Sequence, residues 1–320
     1  MEKELNKNDG NVPVLYISAR TIPEAWQTAM IELWNKGMDV PTSFDRPGDP
    51  PSKDATVMVE VKEPLGEPRI HKNFPHGPGG LEHYRLEVTH GVHDHWVNRF
   101  GDQWNYSYHE RLRRYDVGTG EKVDQLKNMV SIIEKKSKEG KDLTNRRFQI
   151  ITWIPSVDPF ILDPPCLQRL HFRLAPNNKE GYNLNLNTDW RSRDGYKAWF
   201  MNVYAMTELQ RLISQELTER CGIKIGVGRY CDKSDSLHIY GQDFKGVMGF
   251  KEFLENTKKK SLDELTWNTE DIKTIMIEAR HILAAQLDYE SKTGIKTGIN
   301  PELEKSEKLL EFPYPKEWDE

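Results

Sequence analysis

Cysteine is scarce in this chain: Cys166, Cys221 and Cys231 are the only three among 320 residues. So small and odd a number cannot build a disulfide framework, and it fits a reducing compartment. No apolar run approaches the roughly 18 residues of a membrane span. The opening Met1-Glu2-Lys3-Glu4 lacks the apolar stretch of a secretory leader. A cytoplasmic protein without a membrane partner is therefore expected. A glycine-rich phosphate loop of the usual spacing is missing too, which removes the main support for a dinucleotide- or triphosphate-binding fold. Nor is there an excess of positive charge. The net charge is −5, which argues against a sequence-independent grip on a nucleic acid polymer and leaves room only for a local basic pocket.

What remains is enough chain to bury a substantial core. A single catalytic domain over 1–320 is expected, with a loose segment at 1–12 and a charged tail at 300–320. Thr21 to Gly37 reads as a helix: Thr21 and Glu24 form a capping-box pattern, Pro23 suits a first turn, and Ala25, Trp26, Ala29, Met30 and Leu33 share a face. Helical spacing recurs at 81–88, 123–136, 196–217 and 271–287. Alternation marks strands at Val57-Val59-Val61, at 148–154 and at Leu170-Phe172-Leu174, with short strands at 223–227 and 237–240. His71 to Gly80, rich in Pro and Gly, reads as a loop. Strands mixed with long helices predict an α+β fold, a mixed sheet with helices on one side.

The chemistry concentrates in a few places. Cys166 sits in Asp163-Pro164-Pro165-Cys166-Leu167, where the prolines hold a thiol in a fixed turn just before a strand. A lone cysteine is more often an inert core side chain; a nucleophile also needs positive charge nearby to favour the thiolate. Such charge is available in Arg146-Arg147 and in Arg191-Ser192-Arg193-Asp194. Paired guanidinium groups and a serine suit a phosphate, although a solvated surface cluster has the same appearance. In His238-Ile239-Tyr240 the two outer side chains share one side of a strand and can hold a sugar hydroxyl, or can be an ordinary strand face. Asn202 offers a donor and an acceptor to a base edge, or is a plain helix position.

Taken in order, these motifs resemble the thymidylate synthase family, in particular its short archaeal-type and nucleotide-hydroxymethylase branch. Pro165-Cys166 matches the family's nucleophile. Arg146-Arg147 match its arginine pair, with Arg147 lying 19 residues before Cys166. Arg191-Ser192-Arg193-Asp194, Asn202 eight residues after Asp194, and His238-Ile239-Tyr240 follow in sequence. Asp45-Arg46-Pro47-Gly48 matches the family's early phosphate loop, and Tyr106-Ser107-Tyr108-His109-Glu110-Arg111-Leu112 its Tyr-x-Tyr run. Leu167, His171 and Gln242-Asp243 depart from the family's His, Gln and Asn-His, and Trp318-Asp319-Glu320 replaces its apolar end.

The resemblance implies a transferase that adds a one-carbon unit to C5 of a pyrimidine nucleoside monophosphate. Cys166 would be the nucleophile, with Arg191, Asp194 and Tyr108 in the catalytic group. Arg46, Arg146, Arg147, Arg191 and Ser192 would hold the phosphate, Asn202 the base, and His238 and Tyr240 the sugar. Glu82, which lies 36 residues after Arg46, is preferred over Glu87 as the carboxylate that manages protons. The co-substrate would be 5,10-methylenetetrahydrofolate or an archaeal pterin analogue, with no metal. Arg146 and Arg147 come from the partner subunit in the family, which implies a homodimer formed through the sheet face. The product is a methyl or a hydroxymethyl pyrimidine; a uracil nucleotide is favoured by Asn202, and dUMP, dCMP and CMP all stay open. A tail that no longer ends in apolar residues favours a wetter site, although 312–315 could still form a lid. Two other classes compete: a metal-dependent hydrolase built on His90, His93, Asp94 and His95, and a nucleotide-binding protein that has lost the reaction.

Overall fold

The computed structural model describes residues 10–320 except 102, 103, 179, 180, 247 and 248. Residues 1–9 of the expected loose N-terminal segment thus lie outside the described residues. The strands are β1 (Val14–Ala19), β2 (Met38–Val40), β3 (Ser52–Val61), β4 (Ile70–His71), β5 (Tyr115–Asp116), β6 (Lys122–Val123), β7 (Gln149–Ile151), β8 (Leu167–Asn177), β9 (Gly181–Trp190), β10 (Arg193–Asp194), β11 (Ile225–Ile239) and β12 (Thr266–Trp267). The main helices are α1 (Ile22–Lys36), α2 (Gly77–His90), α3 (Tyr108–Arg113), α4 (Gln125–Lys138), α5 (Trp199–Cys221), α6 (Phe250–Lys259) and α7 (Lys273–Thr293).

Eight strands form one sheet in the order β1-β3-β11-β9-β8-β7, with β2 on β3 and β10 on β11. The β1–β3, β9–β11 and β10–β11 pairs are parallel and the others antiparallel. The mixed sheet of the sequence reading is therefore present. One face of it is covered by helices. Val57, Val59 and Val61 of β3, Leu170 and Phe172 of β8, and Leu184 and Leu186 of β9 are fully buried there, against α1 and α5. The opposite face carries Tyr16, Met58, Cys231, Asn185 and Arg173, none of them buried. A strict period of two separates the faces, as a sheet covered on one side requires.

The sequence reading did not place β1, β9 or α6, and two elements that it did place take a different form. The short strands expected at 223–227 and 237–240 are the ends of one long strand, β11, whose register against its neighbours shifts at two places. Its middle looked polar because Asp232 and Ser234 point into the covered face, where Arg193 pairs with Asp232 at 2.8 Å and donates to Ser234 Oγ at 2.8 Å. Helix α2 starts at Gly77 within the expected loop, because Pro78 is well placed at a helix start.

The tail is also more than a charged tether. Trp318 is buried with Leu86, Leu283 and Ala284, and Phe312 and Tyr314 pack beside them. Arg85 donates to the Trp318 carbonyl at 2.5 Å, and His281 is 2.5 Å from the Phe312 carbonyl. Residues 312–315 therefore lie on the α2–α7 side and do not cover Cys166.

The loop before Cys166 is anchored from below. Arg111 of α3 is fully buried and grips Asp158, also fully buried, through two parallel bonds of 2.7 and 3.0 Å. It also donates to the Thr152 carbonyl at 2.9 Å, while Asp158 accepts the Ile154 N–H at 2.6 Å. Removing one partner of such a pair leaves a buried charge unmatched. Asp158→Ala is expected to cost about 3–5 kcal/mol in urea unfolding; a loss below about 1 kcal/mol would show that the pair does not hold the loop.

Candidate active site

A cavity of about 480 Å³ opens where the carboxyl end of β11, the start of α5, one face of α2 and the Cys166 turn converge. Cys166, Ser192, Asp194, Asn202, His238, Tyr240 and Tyr108 all line it. Seven residues singled out from the sequence, spread over 133 positions of the chain, thus meet in one place. Trp26 helps to set this corner by donating to the Gly195 carbonyl at 2.9 Å. Gly195 itself is wedged between α1 and β11: an added Cβ would lie 2.7 Å from Met30 Cε and 3.2 Å from the His238 carbonyl.

Arg191 stands behind the wall. Its guanidinium donates to the Pro164 carbonyl at 2.6 Å and the Pro165 carbonyl at 3.1 Å, and its N–H binds the Cys166 carbonyl at 2.9 Å. Arg46, Arg146 and Arg147 are exposed and do not line the cavity. Arg46 lies on a loop next to the rim, since Phe44 of that loop packs edge-on to Tyr240 with ring centroids 6.0 Å apart.

The carboxylate preferred from the sequence is misplaced. Glu82 is buried away from the cavity, held by Arg85 at 2.8 and 2.9 Å and by Arg280 at 2.6 Å. Glu87 lines the cavity in its stead. The two are five residues apart on α2, about 140° around the helix, so only one can face the thiol. The histidine run is dispersed as well. His90 Nε2 is 2.9 Å from the Glu317 carbonyl, His93 bonds Glu87 at 2.8 Å, His95 meets Glu290 at 3.2 Å, and Asp94 takes His109 at 2.7 Å. Among the described residues no group of three potential ligands could hold a metal ion.

Several lining residues escaped the sequence reading. Tyr84 precedes Glu87 by one helical turn and accepts a 2.6 Å bond from Asn202 Nδ2, fixing that amide. Tyr106 packs on Tyr108 with centroids 5.3 Å apart, and the Tyr108 hydroxyl accepts the Leu167 N–H at 3.3 Å. Asp163 and Trp104 complete the wall. Trp104 has φ +46°, a left-handed conformation costly for a bulky side chain and often found at functional sites. The helical spacing of 84, 87 and 88 was a usable signal for α2; nothing local in the sequence marks Trp104.

Burial pushes the Cys166 thiol above its ordinary value, and the Asp163 carboxylate adds to this; Arg191 and then Arg193 pull it down. Cys166 therefore rests as a neutral thiol. Burial lowers His238 to about 4, so its imidazole is neutral at pH 7. Its buried Nε2 has no partner among the described groups, and it faces the cavity wall with Tyr240. Burial also raises Asp194 to about 6, against the N–H groups of Lys197 and Tyr196 that it accepts at 2.9 Å.

A cysteine backed by guanidinium groups and opposed by carboxylates, in one cavity with Asn202, His238 and Tyr240, is the arrangement of an enzyme active site. The thymidylate synthase family profile matches residues 83–300. Provisionally named thymidylate synthases of three archaea are similar. That of Methanococcoides burtonii is 26% identical over 72% of this chain and 92% of its own length. That of Methanosarcina mazei is 27% identical over 72% and 92%, and that of Methanothermobacter marburgensis is 26% identical over 75% and 98%. Among solved structures, thermostable thymidylate synthase A from Bacillus subtilis shares the fold, with a TM-score of 0.52 at 16% identity over 73% of this chain and 84% of that one. The chain belongs to the thymidylate synthase family and is a one-carbon transferase. No helix among the described residues is long and apolar enough to cross a membrane.

Two outcomes test the electrostatics. Alkylation of Cys166 by iodoacetamide, followed by peptide mass, should keep rising past pH 9, and Arg191→Leu should slow it at pH 8; a plateau below pH 8 would contradict a raised thiol. For Asp194, the folded-state value of about 6 lies above the unfolded one, so stability present at low pH is lost as pH rises from about 4 to 6. Asp194→Asn keeps an acceptor for the two N–H groups and should flatten that fall in denaturation midpoint; an unchanged pH profile would sink the assignment.

Proposed function

We propose that this enzyme transfers a one-carbon unit to C5 of a pyrimidine nucleoside monophosphate, dUMP foremost, through a covalent bond from Cys166 Sγ to C6 of the ring. The observation that carries the reading is the convergence of Cys166, Asn202, His238 and Tyr240 on one cavity. Thiolate addition at C6 turns an unreactive ring carbon into an enolate-like nucleophile, splitting one hard step into two easier ones. The raised thiol needs help to ionise, and Arg191 is the cation that lowers it most. Asn202, oriented by Tyr84, reads the base edge. His238 presents its free Nε2 to a sugar hydroxyl, with Tyr240 beside it. Ser192, Arg46 and, from a partner subunit, Arg146 and Arg147 grip the phosphate, so the working unit is a homodimer in the cytoplasm.

The one-carbon donor is methylenetetrahydrofolate or an archaeal pterin analogue, which supplies the carbon at the methylene oxidation level. Val88, Trp104 and Met201 give a flat ring apolar walls, and Asp194 stands nearby. Glu87 is the carboxylate that takes and returns protons; it replaces Glu82 in that role because Glu82 faces the arginines behind α2.

Hydroxymethylation is the second reading. A tail fastened to the α2–α7 side leaves the cavity uncovered, and Glu87, Asp163 and Asp194 make its wall polar. Hydride transfer needs a dry site, whereas a hydroxymethyl product needs water.

The test is an incubation of the full chain with 5-fluoro-dUMP and methylenetetrahydrofolate. A covalent adduct is expected, absent in Cys166→Ser. Glu87→Gln should lower turnover of dUMP about 10²–10⁴-fold, and the product mass, a methyl or a hydroxymethyl gain, names the branch. Nucleotide binding without an adduct would leave only a binding protein.

A further inference from the structure

We infer that His93 is a proton relay that connects the active-site carboxylate Glu87 to a second, solvent-reaching cavity behind it. This rests on the one-carbon transfer proposed above. His93 is buried, and its Nδ1 lies 2.8 Å from Glu87 Oε1. Its ring stacks on Trp96, with centroids 4.0 Å apart and an 18° interplanar angle, and meets Trp104 edge-on at 5.6 Å. Glu87 and Trp104 line the Cys166 cavity, whereas His93 and Trp96 line another of about 230 Å³. The imidazole is thus part of the partition between two cavities, bonded to a carboxylate on one side of it.

The second cavity has a mixed lining, with Leu287 and Trp96 beside polar groups, and it opens to solvent. His83, Gln286 and Glu290 line it, and Lys296 and Thr297, both exposed, carry it to the surface. At roughly 30 Å³ of liquid per water it has room for several molecules. The charged groups facing the imidazole are Glu87 on one side and Glu290 and Lys296 across the cavity. Glu290 is occupied by Trp96 Nε1 at 2.7 and 2.8 Å and by His95. With Nδ1 committed to Glu87, Nε2 is left for the water.

The proton count fits. Each turnover removes one proton from C5 and supplies one to the departing pterin nitrogen, while nucleotide and pterin together block the main cavity. In delivery, a water of the second cavity gives a proton to Nε2 as the Nδ1–H bond breaks and the Glu87 carboxylate gains an O–H. In removal, the protonated Glu87 returns a proton to Nδ1 as the Nε2–H bond breaks and water accepts. One delivery and one removal restore the starting tautomer, and no net proton is consumed. General acid–base help of this kind contributes about 10²–10⁴-fold.

His93→Gln separates relay from scaffold, because the amide N–H still holds Glu87 but cannot pass a proton through. With dUMP and methylenetetrahydrofolate as probes, kcat should fall about 10²-fold in this variant, with the nucleotide KM changed by less than about threefold. His93→Ala should fall similarly and recover several-fold with added imidazole. Circular dichroism and Cys166 adduct formation with 5-fluoro-dUMP report that each variant is folded. A His93→Gln turnover within about threefold of the parent, or a His93→Ala turnover indifferent to imidazole, overturns the relay alone. A parent protein that forms neither adduct nor product overturns the one-carbon reading, and the relay with it.

Discussion

The turn that carries Cys166 is held by a guanidinium group. Arg191 ties the carbonyls of Pro164 and Pro165 to the strand that follows β9, and the same charge is the main force opposing the burial of the thiol. Position and reactivity of the sulfur therefore share one cause. A cation spent wholly on a phosphate could not do this, because the turn would lose two of its fastenings. The arginine that looked from the sequence like part of a phosphate clamp is instead built into the floor of the site. The arginines left for a phosphate, Arg46, Arg146 and Arg147, are the exposed ones.

The same economy governs the buried polar groups. Arg111–Asp158 and Arg193–Asp232 are full ion pairs inside the covered layer, each beside a residue that lines the site: Tyr108 precedes Arg111 on α3, and Ser192 and Asp194 flank Arg193. Such pairs are a poor source of net stability, since desolvation offsets most of the attraction. What they contribute is placement: a charge buried in one geometry has no second place to go.

This is also why the sequence was readable in some places and not in others. Cys166, Ser192, Asp194, Asn202, His238 and Tyr240 were carried by the resemblance of an ordered set of short motifs to the family, each motif being weak alone. The helices α1 and α4 were legible from their apolar stripes, whose members are buried in the structure. Helix α2 was legible over 81–88 but its facing was not, since Glu82 and Arg85 lie buried on it as a salt bridge and blur the division between inside and outside. The choice between Glu82 and Glu87 needed the rotation of the helix, which depends on Arg280 from 198 positions away. Strand β11 hid behind Asp232 for the same reason, and β9, with asparagines at 183, 185 and 187 on its uncovered face, has little β propensity there. The histidines of 90–95 looked like a ligand set because a tight turn through Gly91, φ +64°, brings them close in sequence while directing them apart in space. A Cβ at Gly91 would lie 2.2 Å from His109 Nδ1, so the His109 ring would have to move.

Helix α2 works on all its sides. Tyr84, Glu87 and Val88 face the cavity, Leu81 the core, Glu82 and Arg85 the arginine-rich pocket, and Leu86 the tryptophan of the tail. A segment so fully engaged has little freedom to drift. Change in what this enzyme accepts is then easier to accommodate in the exposed loop at 44–48, beside Tyr240, than on α2, because that loop holds no helix in place.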